Sequence, residues 1–116
     1  MTADYQVIWT KTAESDLLAI LGYIMKDSPL TAKEVFNKIK VQAENLVLFP
    51  ERGRVVSELF SQGICFYREI IIAPWRVVYR IVDKTVYILA VIDARRNVED
   101  VLLERLIRIN NENPIP

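Results

Sequence analysis

The sequence has no histidine and only one cysteine, Cys65, in 116 residues. Without imidazole, the side chain best suited to proton transfer near neutrality is missing, and both zinc sites and His-based catalysis are disfavoured. A lone thiol excludes an internal disulfide, and with no base to activate it Cys65 reads as a small buried hydrophobe. Glycine is scarce, at three residues, and no phosphate-cradling loop, dinucleotide fingerprint or nucleophile elbow occurs. Apolar runs such as Ile70 to Pro74 are far too short to cross a bilayer. Met1 to Tyr5 lacks the basic start and apolar stretch of a signal peptide. Net charge is zero, so no global field points to nucleic acid or a membrane surface. These absences describe a cytoplasmic chain with no membrane association, no metal and no cofactor.

What is present suits one packed domain. Hydrophobic residues make up 52% and charged residues 26%, which excludes a disordered or low-complexity chain. Charge is unevenly placed: residues 52–96 carry eight Lys and Arg against four Asp and Glu, a balance of +4. All nine arginines lie beyond position 50, while five of the six lysines precede it. Arginine's planar fork suits carboxylate, phosphate and interface pairing. Either these arginines pair with Glu58, Glu69, Asp83 and Asp93, or they form a functional basic face.

Periodicity gives the elements. Tyr5, Val7 and Trp9 alternate with Gln6, Ile8 and Thr10, as in a strand. Ala13, Leu17, Ile20, Leu21 and Ile24 recur at helical spacing behind a Thr12 cap, with Glu14 and Asp16 near the positive end. Ser28 and Pro29, or the box Thr31 to Glu34, start a second helix with Ala32, Val35, Phe36, Ile39, Ala43 and Leu46 as its stripe. So short a connection makes an antiparallel helical hairpin. Val55 to Phe60 is a short strand or irregular, and Ser61 to Gly63 is a turn. Cys65 to Ile72, Trp75 to Val82 and Thr85 to Ile92 are β-rich. In the middle strand Trp75, Val77, Tyr79 and Ile81 face the core, while Arg76, Val78, Arg80 and Val82 face the other way. Asn97 caps a last helix with Val101, Leu102, Leu106 and Ile109, and Arg105 and Arg108 suit its negative end. The prediction is an α+β domain over residues 1–109. An N-terminal strand and an antiparallel helical hairpin pack on a mostly antiparallel twisted sheet, followed by a C-terminal helix and a flexible tail at 110–116.

Several segments, in order, resemble the RelE/ParE superfamily of bacterial type II toxins. They are Ala13-Glu-Ser-Asp16-Leu17 with Ile20 and Tyr23-Ile24, then Phe49-Pro50-Glu51-Arg52-Gly53. Tyr67-Arg68-Glu69-Ile70 follows, leading into Trp75-Arg76-Val77-Val78-Tyr79-Arg80, and Val91 to Arg96 closes the set. The resemblance covers about residues 5–109 and implies the toxin half of a toxin–antitoxin pair. Its cognate antitoxin would wrap an extended segment and a helix around it, in a possible dimer or heterotetramer.

One branch of that superfamily cuts mRNA in the ribosomal A site, and the other poisons DNA gyrase without being a nuclease. Arg96 matches an arginine of the nuclease site. Val98 and Leu102 fall where the nuclease has Arg and Tyr, and Ile70, Ile71 and Ile72 where it has basic residues. Glu51, Glu69 and Tyr87 are the substitutes available for proton transfer. The leading expectation is therefore a ParE-like gyrase inhibitor, with Arg68, Arg76, Arg80, Arg95 and Arg96 as target contacts. The alternatives are a RelE-like endoribonuclease acting on ribosome and mRNA, or an inactive toxin fold that only binds antitoxin. The near-neutral composition keeps that last reading open, since these toxins tend to be basic. Leu18 and Val47 lie off the main helical stripes and are the expected antitoxin contacts.

Overall fold

The computed structural model describes residues 4–112. Ten elements follow one another: β1 (Gln6–Trp9), α1 (Lys11–Met25), α2 (Pro29–Glu44), a 3-10 turn (Asn45–Val47), β2 (Arg54–Val55), α3 (Ser57–Phe60), β3 (Tyr67–Ile72), β4 (Trp75–Val82), β5 (Thr85–Asp93) and α4 (Val98–Glu112). The sheet has five strands in the order β1-β5-β4-β3-β2. Only β1 on β5 is parallel; every other pairing is antiparallel. The predicted α+β class is that of the structure, and the order of the main elements holds, but Ser57–Phe60, expected to be strand or irregular, is the short helix α3.

The two sides of the sheet carry separate cores. The hairpin of α1 and α2 and the 3-10 turn after it cover one side, burying Ala13, Leu17, Ile39, Ala43 and Leu46 against Val77, Tyr79, Val86, Ile88 and Val91. On the other side Val56, Leu59, Val98 and Leu102, from the segment leading into α3 and from α3 and α4, cover Val78, Ala90 and Ile92. The alternation expected along β4 therefore holds. In β5 it is broken by a bulge: Val78 pairs with Ala90 but Tyr79 with Ile88, leaving Leu89 without a partner. Leu89 reaches the α4 side, lining a small cavity with Leu106 and Ile109, so one extra residue re-aims the strand between the two cores.

Local chemistry explains the helix starts. Thr10, rather than Thr12, caps α1: its Oγ1 accepts from the Ala13 N–H at 3.2 Å and donates to the Ile88 carbonyl at 2.9 Å. The strand ends at Trp9, so Thr10 is the last extended residue, and Thr12 is already inside the helix. Ser28 caps α2, its Oγ accepting from the Thr31 N–H at 3.2 Å, with Pro29 at the first position.

The Pro-Glu-Arg-Gly loop is clamped to the sheet by Tyr79. Its hydroxyl donates to the Pro50 carbonyl at 2.7 Å and accepts from the Gly53 N–H at 2.9 Å. A Cβ at Gly53 would sit 2.6 Å from both the Glu69 carbonyl and the Tyr79 hydroxyl, so only glycine permits this approach.

Four expectations need correcting. Cys65 is exposed, because the loop after Gly63 runs over the surface before β3 begins. Phe36 is 39% exposed, at the edge of the α2 stripe. Residues 110–112 of the expected tail continue α4, while 113–116 lie outside the described residues. Trp75 is only half-buried, because it lines a groove instead of the centre.

Tyr79 therefore matters more to stability than Trp75. Tyr79→Phe should cost about 1–3 kcal/mol by orphaning the buried Gly53 N–H, and Tyr79→Ala about 3–5 kcal/mol. Trp75→Ala should cost less than Tyr79→Ala, and urea unfolding of the three variants measures the order. Equal losses at Trp75 and Tyr79 would contradict the partition of this face.

Candidate functional site

The structure divides the five candidate arginines by what they touch. Arg76 is buried, and its guanidinium is fully committed: Nε and Nη2 donate to the two Glu69 oxygens at 2.6 and 2.9 Å, and Nη1 and Nη2 to the two Glu58 oxygens at 2.7 Å each. Its expected role as a target contact is overtaken by this pairing, the alternative weighed from sequence. Arg68 donates from Nη1 to the Gly53 carbonyl at 2.7 Å, holding the loop that Tyr79 also clamps. Arg95 is exposed but folds back on Asp93, 2.6 Å from its carboxylate.

The clustered carboxylates feel these cations. Arg76 holds the Glu58 carboxyl down at about 2, and Arg95 does the same for Asp93, also to about 2. Burial pushes the Tyr79 phenol above its ordinary range. Glu69 is shielded from solvent and is also bound by Arg54 Nε at 2.8 Å, so it sits between two guanidiniums.

Two candidates remain without a carboxylate partner among the described residues, Arg96 and Arg80. Arg96 is exposed at the turn after β5, where none of Asp93, Glu99 and Asp100 pairs with it. Arg80 projects from the opposite side of the sheet. The two are not brought together.

The hairpin presents two apolar grooves. One, of about 520 Å³, is walled by Ile20, Tyr23, Ile24, Val35 and Trp75, with Asp93, Arg95 and Arg96 on its rim. The other, of about 320 Å³, is walled by Trp9, Leu17, Leu18 and Phe36, with Glu14 and Lys40 at its edge. Leu18 is 67% exposed and lines this second groove, as its off-stripe position suggested. Val47 is half-buried in the 3-10 turn and lines neither groove; Leu48 and Phe49 beside it are the exposed apolar residues there.

The proton-transfer substitutes do not assemble. Glu69 is buried and held by two arginines, Glu51 lies outside on the loop, and Tyr87 stands across from Arg80 in the β4–β5 register. Among the described residues no group of three His, Cys, Asp or Glu side chains could hold a metal ion. No helix there is long and apolar enough to cross a membrane.

Sequence reasoning missed one tie. Asp16, read as a helix-start charge, is buried: it accepts from the Val91 N–H at 3.1 Å and from Arg105 Nε at 2.8 Å. Burial pushes its carboxyl up, an effect that the Val91 amide and Arg105 partly offset. The partners lie 75 and 89 positions away, and no local pattern signals them.

Comparison with known proteins agrees with this architecture. A family model described as the ParE toxin of type II toxin–antitoxin system, parDE, matches residues 7–98. A curated relative, Toxin RelE2 of Caulobacter vibrioides, is 36% identical over 91 residues, covering 78% of this chain and 97% of its own length. A solved chain of the chromosomal ParDE TA system from P. aeruginosa superposes with a TM-score of 0.62 at 22% identity, covering 78% of this chain and 96% of its own. That last likeness speaks for the fold alone.

The Arg76 cluster predicts an acid limb. Glu58 has its folded pKa lowered, so its contribution is complete above the unfolded value of 4.5 and is lost as pH falls through about 2. Glu58→Gln should therefore flatten the fall in stability between those pH values, measured by urea unfolding across the range. Arg76→Ala, which strands Glu69 beside Arg54 alone, should cost about 3–5 kcal/mol at neutral pH. An Arg76→Ala chain with wild-type stability would overturn the structural assignment of that side chain.

Proposed function

We propose a target and a mode of neutralisation for this chain, which belongs to the ParE toxin family and is the toxin component of a type II toxin–antitoxin system. Such a toxin has a cognate antitoxin. The target we propose is DNA gyrase, engaged by surface contact and not by chemistry.

The observation that carries this reading is the state of Glu69. A ribosome-dependent nuclease needs groups free to move protons beside cations that hold the scissile phosphate. Here the most deeply placed acid is tied to Arg54 and Arg76, and the buried Arg76 is spent on it and on Glu58. What stays open is apolar surface edged by single cations, which suits a protein partner.

The antitoxin helix takes the hairpin grooves, its apolar face against Leu18, Phe36 and Trp9 or against Ile20, Tyr23 and Trp75. An acidic residue of the antitoxin meets Arg96 on the rim. Its extended segment has an edge available at β3, where β2 covers only Arg68 and Glu69 and Ile71 is 49% exposed.

Purified chain should inhibit gyrase supercoiling and leave mRNA on the ribosome uncut. Ribosome-dependent cleavage with unimpaired supercoiling would overturn the target. For the antitoxin, Leu18→Asp changes an exposed side chain and should leave stability within about 0.5 kcal/mol. It should weaken antitoxin binding by about tenfold or more, equivalent to ~1.4 kcal/mol. Arg96→Ala should leave the melting temperature unchanged and also weaken antitoxin binding. Unaltered affinity in both variants, measured by titration calorimetry, would move the antitoxin elsewhere.

A further inference from the structure

On the side of the sheet away from the hairpin grooves, the Arg80 guanidinium sits over aromatic rings. Its guanidinium carbon is 4.5 Å from the Phe66 ring centre and 5.9 Å from that of Tyr67, and the two rings stand 4.8 Å apart. Phe66 is 51% exposed. Beside this stack a cavity of about 70 Å³ opens between Tyr67, Arg80, Leu106, Ile109 and Asn110.

None of the ion pairs among the described residues includes Arg80, although Arg54, Arg68, Arg76, Arg95, Arg105 and Arg108 all have carboxylate partners. A cation stacked on aromatic faces keeps its in-plane N–H donors free for an acceptor from outside. An exposed aromatic, Phe66, and a half-buried one, Tyr67, beside an arginine and a concavity form the kind of composition that dominates protein–protein affinity.

We infer that the Phe66–Tyr67–Arg80 stack is the surface through which this toxin grips its target, and that the target meets Arg80 with a carboxylate. Charge decides between classes of partner. Nucleic acid binding rests on several Lys and Arg side chains neutralising successive phosphates. This stack offers a single unpaired cation on a chain of zero net charge, and the nearby Arg76 is consumed internally. A protein presenting one acidic residue amid apolar surface fits; a polyanion does not. The inference rests on the gyrase reading for the identity of that protein. It goes beyond that reading in placing the target contact on the opposite side of the sheet from the antitoxin grooves.

The test uses full-length Phe66→Ala, Arg80→Ala and Arg80→Lys, with thermal unfolding, antitoxin titration, gyrase supercoiling and growth arrest read on each. Phe66→Ala and Arg80→Ala should raise the concentration needed to inhibit supercoiling by about tenfold or more and relieve growth arrest, with melting temperature and antitoxin affinity unchanged. Arg80→Lys keeps the charge but loses the planar fork, and should fall between. If Arg80→Ala melts early, Arg80→Lys and Phe66→Ala carry the comparison. Supercoiling inhibited at wild-type concentrations by all three folded variants overturns the inference and leaves the gyrase reading standing. Wild-type chain that never inhibits gyrase defeats that reading instead. Growth arrest then decides the stack: arrest lost in the folded variants supports it as the grip on another protein, and arrest retained overturns it. Arg80-dependent binding of wild-type chain to a single-stranded oligonucleotide overturns the choice of a protein partner.

Discussion

A fully buried carboxylate sets the terms for half of this molecule. Glu69 keeps no side-chain contact with water, and a charge in that position is tolerable only with close cationic partners. Arg76 supplies one from β4 and Arg54 the other from β2, so the two-residue β2 strand has a reason to stay paired at the sheet edge. Arg76 then reaches on to Glu58 in α3 and fixes that short helix over the sheet. One charge thus joins β2, β3, β4 and α3. Removing either arginine would leave a buried anion short of a partner, and the buried Arg76 is thereby withdrawn from any encounter with a target.

A second buried carboxylate works on the other seam. Asp16 ties α1 to the β5 amide of Val91 and to Arg105 of α4, so it holds the hairpin, the sheet and the last helix in register. Its folded pKa is raised, so the folded state holds its proton more tightly than the unfolded chain does. That contribution favours the fold most at acid pH and declines as pH rises above the unfolded value of 3.8. Glu58, Asp93 and Glu104 have the reverse sign, so Asp16 opposes them on the acid side of the stability profile.

How far the sequence could be read depended on distance along the chain. The β4 alternation, the helical hairpin and the Ser28–Pro29 start were legible because each is a local pattern of period or cap. The pairing of Arg76 with Glu58 and Glu69 was legible as one alternative, since composition shows those partners without showing who meets whom. The Asp16–Arg105 tie was not legible, because it joins elements at opposite ends of the chain. Nor was the Leu89 bulge, as one extra residue in an apolar run leaves no mark on the alternation of its neighbours. For the site, the off-stripe position of Leu18 pointed to a groove, whereas Val47 sits in a 3-10 turn where helical spacing no longer applies. Phe66 escaped notice because its importance comes from Arg80 lying over it, a cross-strand relation.

The arrangement explains how a neutral chain can still carry a cationic function. Nine arginines are offset by acids, but the offset is uneven: six are paired within the fold. Of the three without an ion pair among the described residues, Arg52 lies on the loop before β2, while Arg80 and Arg96 lie on opposite sides of the sheet. A toxin held inactive by a tight partner gains from this separation. If antitoxin and target shared one groove, any substitution that weakened the antitoxin would weaken the target contact as well, and the two affinities could not be adjusted independently. With the hairpin grooves on one side and the aromatic stack on the other, the proposed antitoxin and target contacts share no residue. On the proposed placement, neutralisation works by bulk, the bound antitoxin obstructing the approach of a large target with no contact to the Phe66–Tyr67–Arg80 stack.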